Sequence, residues 1–226
     1  MIRIQRTPEP KILSENKERW KMEYLEAVTA YSIQKTSKNK RRKEAAENRY
    51  NHVEVRKALK QMCFRKCVYC ESHVSHVGYV HIEHYKPKSK YRELCFEWDN
   101  LLLGCAVCNG KQYKGDKFPL NREGGPFINP CKEDPDDFFE FEFDKNTGTA
   151  NVIPQNIRGI TTEKEIGLNR PDLVRHRSDV VRKIAYVALQ AKNGDIEALT
   201  ELRYCMTDDQ EYAAFARAFH RKFNLS

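Results

Sequence analysis

The spacing of hydrophobic residues divides the chain into two helical flanks and a central region of a different kind. Near the N-terminus, hydrophobic residues recur at three- and four-residue intervals and predict a helix capped by Ser14. These residues are Trp20, Tyr24, Leu25, Val28 and Tyr31. A second helix is predicted over residues 53–62, where Val55, Leu59 and Met62 share one side. The N-terminal quarter is therefore expected to be helical.

The helical period returns past Ile160. Thr162 followed by Glu165 has the pattern of a capping box and predicts the start of a short helix. A long helix is expected after Pro171, and two further helices are predicted over residues 195–205 and 208–223. The C-terminal quarter is thus also predicted to be helical.

Between the flanks the pattern favours strands and loops. Phe139, Phe141 and Phe143 alternate with acidic residues, which is typical of a half-buried strand, and residues 149–153 are its expected hairpin partner. Residues 78–83 are the predicted strand of the region from 64 to 120. The fold class is therefore α+β. The predicted divisions are 1–63 (basic and helical), 64–120 (compact core), 121–160 (loop and hairpin) and 161–226 (helical).

The net charge of +8 is concentrated in one part of the chain. Residues 1–66 carry 18 basic and 8 acidic side chains, whereas residues 67–120 have a net charge of +1 and residues 121–226 one of −3. A basic excess of this kind favours an anionic partner such as nucleic acid. The densest basic run, from Lys35 to Lys43, fits a solvated linker and a phosphate-binding segment equally well.

Eight cysteines occur in a chain without the apolar stretch of a signal peptide or a membrane helix, so a cytoplasmic location with reduced thiols is expected. Two Cys-x2-Cys pairs stand 34 residues apart, and paired knuckles of this kind predict a closed, tetrahedral and structural Zn²⁺ site. The alternatives are a redox pair or unrelated core cysteines. The predicted ligands are Cys67, Cys70, Cys105 and Cys108. The other four are expected to be ordinary buried thiols, with Cys63 as a weaker alternative ligand.

The segment enclosed by the knuckles has the order Cys-x2-Cys, Glu-His, Asn, Cys-x2-Cys-Asn. In this order it resembles the HNH endonucleases, whose core is a β-hairpin and a helix around one metal (the ββα-metal fold). Asn109 stands where the family name has its last His. Around residues 96–101 and 108–119 the sequence looks most like the PtuB-like HNH nucleases of Septu and retron anti-phage systems.

The resemblance implies roles for individual residues. His84 matches the general base and Asn100 the residue that braces the loop behind it, while Glu83 and Asn109 match ligands of a catalytic Mg²⁺ or Mn²⁺. Neighbouring residues of a strand face opposite sides, so Glu83 and His84 can serve different atoms. Three alternatives stay open: Asn100 caps a helix, Asn109 is a turn residue, and His81 takes part in the metal site. Phosphate contacts are expected from three lysines that follow the second knuckle, namely Lys111, Lys114 and Lys117.

The resemblance also implies an activity and its partners. It implies metal-dependent hydrolysis of phosphodiester bonds in DNA, as the effector of an anti-phage system that includes an SMC/ABC-type ATPase. In retron versions a reverse transcriptase and an RNA–DNA hybrid are added. The chain has no Walker A pattern, so nucleotide control is expected to come from another protein. The alternatives are cleavage of RNA such as tRNA, and a zinc-stapled nucleic-acid-binding protein without catalysis.

Overall fold

A computed structural model describes residues 1–74 and 81–225 of the chain. Seven α-helices and four β-strands lie within these residues, with short 3₁₀ turns between them. The helices are α1 (Lys11–Ile33), α2 (Ser37–Glu47), α3 (Val53–Met62), α4 (Ile157–Ile166), α5 (Pro171–Lys192), α6 (Ile196–Cys205) and α7 (Ala213–Lys222). The strands are β1 (His81–His84), β2 (Leu101–Gly104), β3 (Phe139–Asp144) and β4 (Thr149–Pro154). The α+β class is confirmed.

The N-terminal flank consists of α1, α2 and α3. The predicted cap at Ser14 is wrong, because α1 starts after Pro10, whose carbonyl oxygen accepts the backbone N–H of Ser14 at 3.1 Å. Proline has no backbone N–H to donate in a hydrogen bond. It is therefore well tolerated at the position just before a helix. The predicted second helix agrees with α3 at both ends.

The strands form two antiparallel two-stranded sheets in the described part of the chain. In the first, β1 pairs with β2, so that His84 lies opposite Leu101 and His81 opposite Gly104. Residues 78–80 of the predicted strand lie outside the described residues. The second sheet is the predicted Phe-rich hairpin of β3 and β4, in which Phe139 and Phe141 are buried. Its prediction is confirmed.

A series of turns follows β2 where the family fold would have a regular helix. The backbone N–H of Asn109 bonds to the carbonyl of Cys105, but that of Gly110 bonds to Val107, three residues back. Gly115 then adopts a positive φ of 44°, a conformation that glycine tolerates better than other residues. These turns keep the second knuckle beside β2.

The C-terminal flank differs from the prediction at two helix starts. Asn156 caps α4, because its side-chain oxygen accepts the backbone N–H of Gly159 at 3.0 Å, so the predicted capping box at Thr162 is wrong. Thr162 is buried inside α4, where its hydroxyl oxygen accepts the backbone N–H of Ile128 at 3.1 Å. The last helix begins at Ala213 rather than Asp208, after Tyr212 takes a left-handed backbone conformation.

One hydrophobic core joins the flanks to the central sheet. Leu13 of α1, Leu102 of β2 and Phe215 of α7 belong to the same cluster of buried side chains, and all three are almost inaccessible to solvent. The flanks therefore hold the central region by burial of apolar surface. Among the described residues, every helix is too short or too polar to cross a membrane.

Arg177 of α5 is buried and ties the C-terminal helices to the second sheet. Its guanidinium donates to the carbonyl of Ala150 at 2.7 and 2.9 Å and to that of Leu168 at 2.8 Å. A fourth bond, at 2.8 Å, reaches the side-chain oxygen of Asn169. Burial lowers the pKa of Arg177 to about 10, so the group is still charged at neutral pH.

Replacing Arg177 with leucine is expected to lower the free energy of unfolding by about 3 kcal/mol or more, because buried carbonyls lose charged donors. Arg175→Leu, at an exposed site on the same helix, should change it by about 0.5 kcal/mol or less. Urea denaturation of the two variants measures the difference. Equal stabilities would contradict the role given to Arg177.

Candidate active site and metal centre

His84 lies at the end of β1 and is almost completely buried. Its Nε2 is 2.9 Å from the carbonyl oxygen of Cys95, which can only accept, so Nε2 carries the proton. Burial lowers the pKa of His84 to about 3, which keeps the imidazole neutral at physiological pH. Nδ1 therefore carries the lone pair of the ring, and this is the atom that could accept a proton.

The His84 ring is covered by an aromatic residue from the N-terminal flank. Tyr50 stands edge-on to it, with 4.6 Å between the ring centroids. Lys88 places its ammonium 4.9 Å from the centre of the Tyr50 ring and forms an ion pair with Glu47 at the end of α2. The N-terminal flank thus fixes the position of the imidazole from one side.

Asn100 braces the loop that follows β1. Its side-chain oxygen accepts the backbone N–H of Lys86 at 2.8 Å, and its amide nitrogen donates to the carbonyls of Lys86 at 3.0 Å and Leu94 at 3.1 Å. Cys95, whose carbonyl holds His84, directly follows Leu94. The amide thereby fixes both sides of the loop around His84.

Glu83 is buried in different surroundings from its neighbour His84. Its carboxylate forms an ion pair with Lys114, whose ammonium also donates to the carbonyl of His84 at 2.9 Å. Burial raises the pKa of Glu83 to about 7, while the positive charge of Lys114 opposes this shift. Lys114 is fully buried, so its ammonium is turned inward and is not offered to phosphate at the surface.

Glu83 and Asn109 meet on the two sides of Gly104. A methyl group added at Gly104 would lie 3.3 Å from Cβ of Glu83 and 3.7 Å from Cβ of Asn109. The absence of a side chain at residue 104 thus lets Glu83 and Asn109 approach the same glycine, and carboxylate and amide oxygens are donors that Mg²⁺ and Mn²⁺ prefer. It is the chemistry of these two donors that fits a divalent cation.

The two Cys-x2-Cys pairs converge, as predicted. One ligand atom from each of Cys67, Cys70, Cys105 and Cys108 lies within 4.8 Å of the others. A tetrahedral zinc site with Zn–S bonds of about 2.3 Å places its sulfurs about 3.8 Å apart. The sulfurs of Cys70 and Cys105 are 4.0 Å apart. This cluster could hold a structural zinc ion.

The thiols of the cluster differ in their pKa values: burial raises the pKa of Cys67, and a hydrogen bond with Cys105 raises that of Cys108, both well above their ordinary values. Hydrogen bonds from the thiols of Cys105 and Cys108 lower the pKa of Cys70 well below its ordinary value. Arg170, just before α5, donates to Sγ of Cys108 at 3.4 Å and to the carbonyl of Gly167 at 3.0 Å. A guanidinium beside four sulfurs compensates the negative charge of a tetrathiolate centre.

The chain matches the HNH endonuclease family over residues 67–115, which include both knuckles, β1 and β2. It is also 30% identical over 231 residues to the Septu protein PtuB of Bacillus mycoides (strain KBAB4), covering 90% of this chain and 75% of that protein. The chain belongs to the PtuB family. The Septu protein PtuB of Bacillus thuringiensis is 32% identical over 120 residues, which cover 52% of this chain and 42% of that protein.

The similarity to PtuB extends well beyond the HNH region. A match over 90% of the chain includes most of the helical flanks, so these belong to the family's architecture. Both relatives carry the Septu name, which supports the Septu side of the resemblance and leaves the retron side without support.

The remaining candidate residues of this PtuB-family chain lie at the surface. Lys111 is exposed, and Lys117 is exposed but forms an ion pair of 2.7 Å with Glu165 of α4. His81, the first residue of β1, is also exposed. Of the three lysines predicted to contact phosphate, Lys111 is the one that forms no ion pair with a described residue.

The cysteines outside the cluster are free thiols. Cys63 is buried and does not belong to the four-sulfur cluster, and burial raises its pKa to about 12. Cys95 is fully buried, whereas Cys131 and Cys205 are partly exposed. The position of these four thiols outside the four-sulfur cluster agrees with the predicted division of the cysteines.

Sequence reasoning missed three residues that shape the site: Tyr50, Gly104 and Arg170. Tyr50 and Arg170 reach the site from distant parts of the chain, so no local pattern identifies them. Gly104 carried a signal, because a glycine directly before a knuckle and at the end of an apolar run indicates close approach of another group.

Proposed function

We propose that the chain is an endonuclease that hydrolyses phosphodiester bonds in DNA with the help of Mg²⁺ or Mn²⁺. The observation that carries this proposal is a buried His84, oriented by the Cys95 carbonyl, next to a buried Glu83 that lies, like Asn109, close to Gly104. Membership of the PtuB family and the HNH match over residues 67–115 support the same activity.

His84 acts as the general base in this proposal. Nδ1 removes a proton from the attacking water, while the Cys95 carbonyl holds the proton on Nε2 and orients the ring. After proton transfer both nitrogens carry protons, and the same carbonyl stabilises the resulting imidazolium. Asn100 keeps this carbonyl in place by holding the adjacent residue Leu94.

Glu83 and Asn109 would hold the catalytic cation. Lys114 pairs with Oε1 of Glu83, so a cation bound by this carboxylate would share it with Lys114. A bound Mg²⁺ or Mn²⁺ supplies neutralisation of charge on the phosphate and on the leaving oxygen. The zinc cluster has a separate, structural role, because its four thiolates leave no open position for water.

The biological role proposed is that of an effector in anti-phage defence, working with an SMC/ABC-type ATPase. Membership of the Septu protein family supports this role. The test is incubation of the full chain, with and without the ATPase, with plasmid DNA and with total tRNA, each with and without Mg²⁺. We expect DNA breaks that need Mg²⁺. If only tRNA is cleaved, the substrate is RNA and not DNA. If every substrate stays intact in every arm, the proposed nuclease activity is refuted.

Gly104→Ala should weaken the proposed catalytic metal site. The new methyl group would press on Cβ of Glu83 at 3.3 Å and separate the two oxygen donors. We expect the Mg²⁺ concentration for half-maximal cleavage to rise roughly 10-fold, as for other changes that disturb the support of a metal ligand. Zinc content serves as the control and should not change. An unaltered Mg²⁺ requirement would remove Glu83 and Asn109 as joint ligands.

A further inference from the structure

The basic run from Lys35 to Lys43 is mostly part of a regular helix, so it is not a solvated linker between helices. Helix α2 spans Ser37–Glu47, and the hydroxyl oxygen of Thr36 caps it by accepting the backbone N–H of Asn39 at 3.2 Å. A capped helix fixes the positions of its charges, which a solvated linker does not.

One face of α2 presents positive charge to solvent. Lys38, Arg41 and Arg42 are exposed and stand at positions i, i+3 and i+4, which places their Cβ atoms about 5–6 Å apart. Within the described residues, Lys38 and Arg41 form no ion pair, while Arg42 lies 3.6 Å from the carboxylate of Glu26. Ala45, one turn further on, is exposed and uncharged, so a charge can be added to the same face there.

The other end of α2 leads to the catalytic residue. Ala46 is buried against the core, and Glu47 forms an ion pair with Lys88. Tyr50 follows within one turn and contacts the ring of His84. The exposed basic face of α2 and the proposed general base are therefore connected by a short, ordered piece of the chain.

We infer that the exposed face of α2 binds the phosphodiester backbone of the nucleic acid and guides it to His84. The inference rests on the proposed nuclease function and adds its substrate-binding surface. The ligand is a polyanion, because residues 1–66 carry a net charge of +10 and exposed cations of α2 stand together on one face of the helix. The contacts carry no base information, so binding should be largely independent of sequence.

The test measures binding in the absence of cleavage. The full chain carrying His84→Gln is titrated with labelled 30-base-pair DNA of mixed sequence, the matching single strand and duplex RNA, at several salt concentrations. Lys38→Gln with Arg41→Gln removes two charges from the basic face without loss of helix propensity. The matched control is Arg175→Gln with Lys183→Gln, at two exposed positions of α5 that form no ion pair with a described residue.

We expect the α2 variant to bind more weakly and the slope of log K against log salt to fall by about two, one for each phosphate contact. The α5 variant should bind as the unmodified chain does. Ala45→Arg adds a charge to the same face, and we expect it to tighten binding and to raise the slope by about one.

The outcomes separate this inference from the nuclease proposal. Equal salt slopes for the α2 and α5 variants, or no binding of any nucleic acid, would overturn the inference even if the wild-type chain cuts DNA. Weaker binding by the α2 variant alone would support it even if the wild-type chain cuts nothing. A requirement for Lys38 and Arg41 in capture of the ATPase, with nucleic-acid affinity unchanged, would assign the face to a protein and also overturn the inference.

Discussion

Replacing Cys70 with serine is expected to release zinc and to unfold the protein at 37 °C. Cys70 is buried among the other three thiols of the cluster, and serine cannot supply a thiolate to the metal. Apparent binding free energies of structural zinc are about 10–16 kcal/mol in zinc-finger peptides, and small domains have total stabilities of about 5–15 kcal/mol. Loss of one ligand can therefore remove most of the folding free energy.

The measurement is zinc content by elemental analysis, followed by thermal unfolding. The wild-type chain should contain about one zinc ion, because four thiolates complete one tetrahedral site. Cys205→Ser is the matched control: it changes the same atom at a partly exposed position outside the cluster, and it should keep zinc and the melting temperature. A Cys70→Ser variant with full zinc content and an unchanged melting temperature would refute the structural zinc site.

The knuckles illustrate what could be predicted from the sequence. Cys67 and Cys105 are distant in the chain, but each Cys-x2-Cys turn is a local device that directs both sulfurs to one point. Two such turns with the same ligand atoms therefore predict that their four sulfurs come together at one metal site. The Phe-rich hairpin was predictable for a similar reason, because alternation along one short segment determines which side chains are buried.

The surroundings of the site could not be predicted in this way. Lys114 has the sequence appearance of a surface lysine, and only the tertiary structure puts its ammonium between Glu83 and the His84 carbonyl. Tyr50 reaches His84 from the N-terminal flank, and Arg170 reaches Cys108 from the start of α5. Each of these contacts depends on packing between distant elements, for which single-sequence periodicity contains no information.

Helix starts were also predicted poorly where two candidate caps compete. Ser14 and Thr162 have the right side chains, yet both lie inside helices that begin several residues earlier. Asn156 caps α4 with its side chain, whereas α1 starts after Pro10 without a side-chain cap, so the hydroxyls of Thr162 and Ser14 bond to a neighbouring loop and within the helix. Cap residues identify a helix start only when no earlier one is available.

Replacing His84 with alanine is expected to abolish cleavage of nucleic acid while zinc content remains unchanged. A positioned general base contributes about 10²- to 10⁴-fold to a rate, so the cleavage rate of the variant should fall by at least a factor in this range. Zinc should be retained because His84 is not among the four residues of the cluster. The measurement is the rate of plasmid cleavage in the presence of Mg²⁺, together with zinc content.

Alanine also removes packing, because His84 is buried against Tyr50 and bonds to the Cys95 carbonyl. Loss of activity in that variant therefore has two explanations, a missing base and a disturbed loop. His84→Gln separates them: an amide can donate to the Cys95 carbonyl and fill much of the ring's volume, but it cannot accept a proton at neutral pH. Inactivity of both variants, with the melting temperature of His84→Gln near that of the wild type, would assign the loss to the base.

His81→Gln completes the comparison, because His81 lies three residues earlier on the same strand but is exposed. If His84 alone is the base, this variant keeps the wild-type rate and the same Mg²⁺ requirement. A higher Mg²⁺ requirement for His81→Gln would instead bring His81 into the metal site beside Glu83. Wild-type cleavage by His84→Gln would reject the base assignment, since no group at that position could then remove the proton from water.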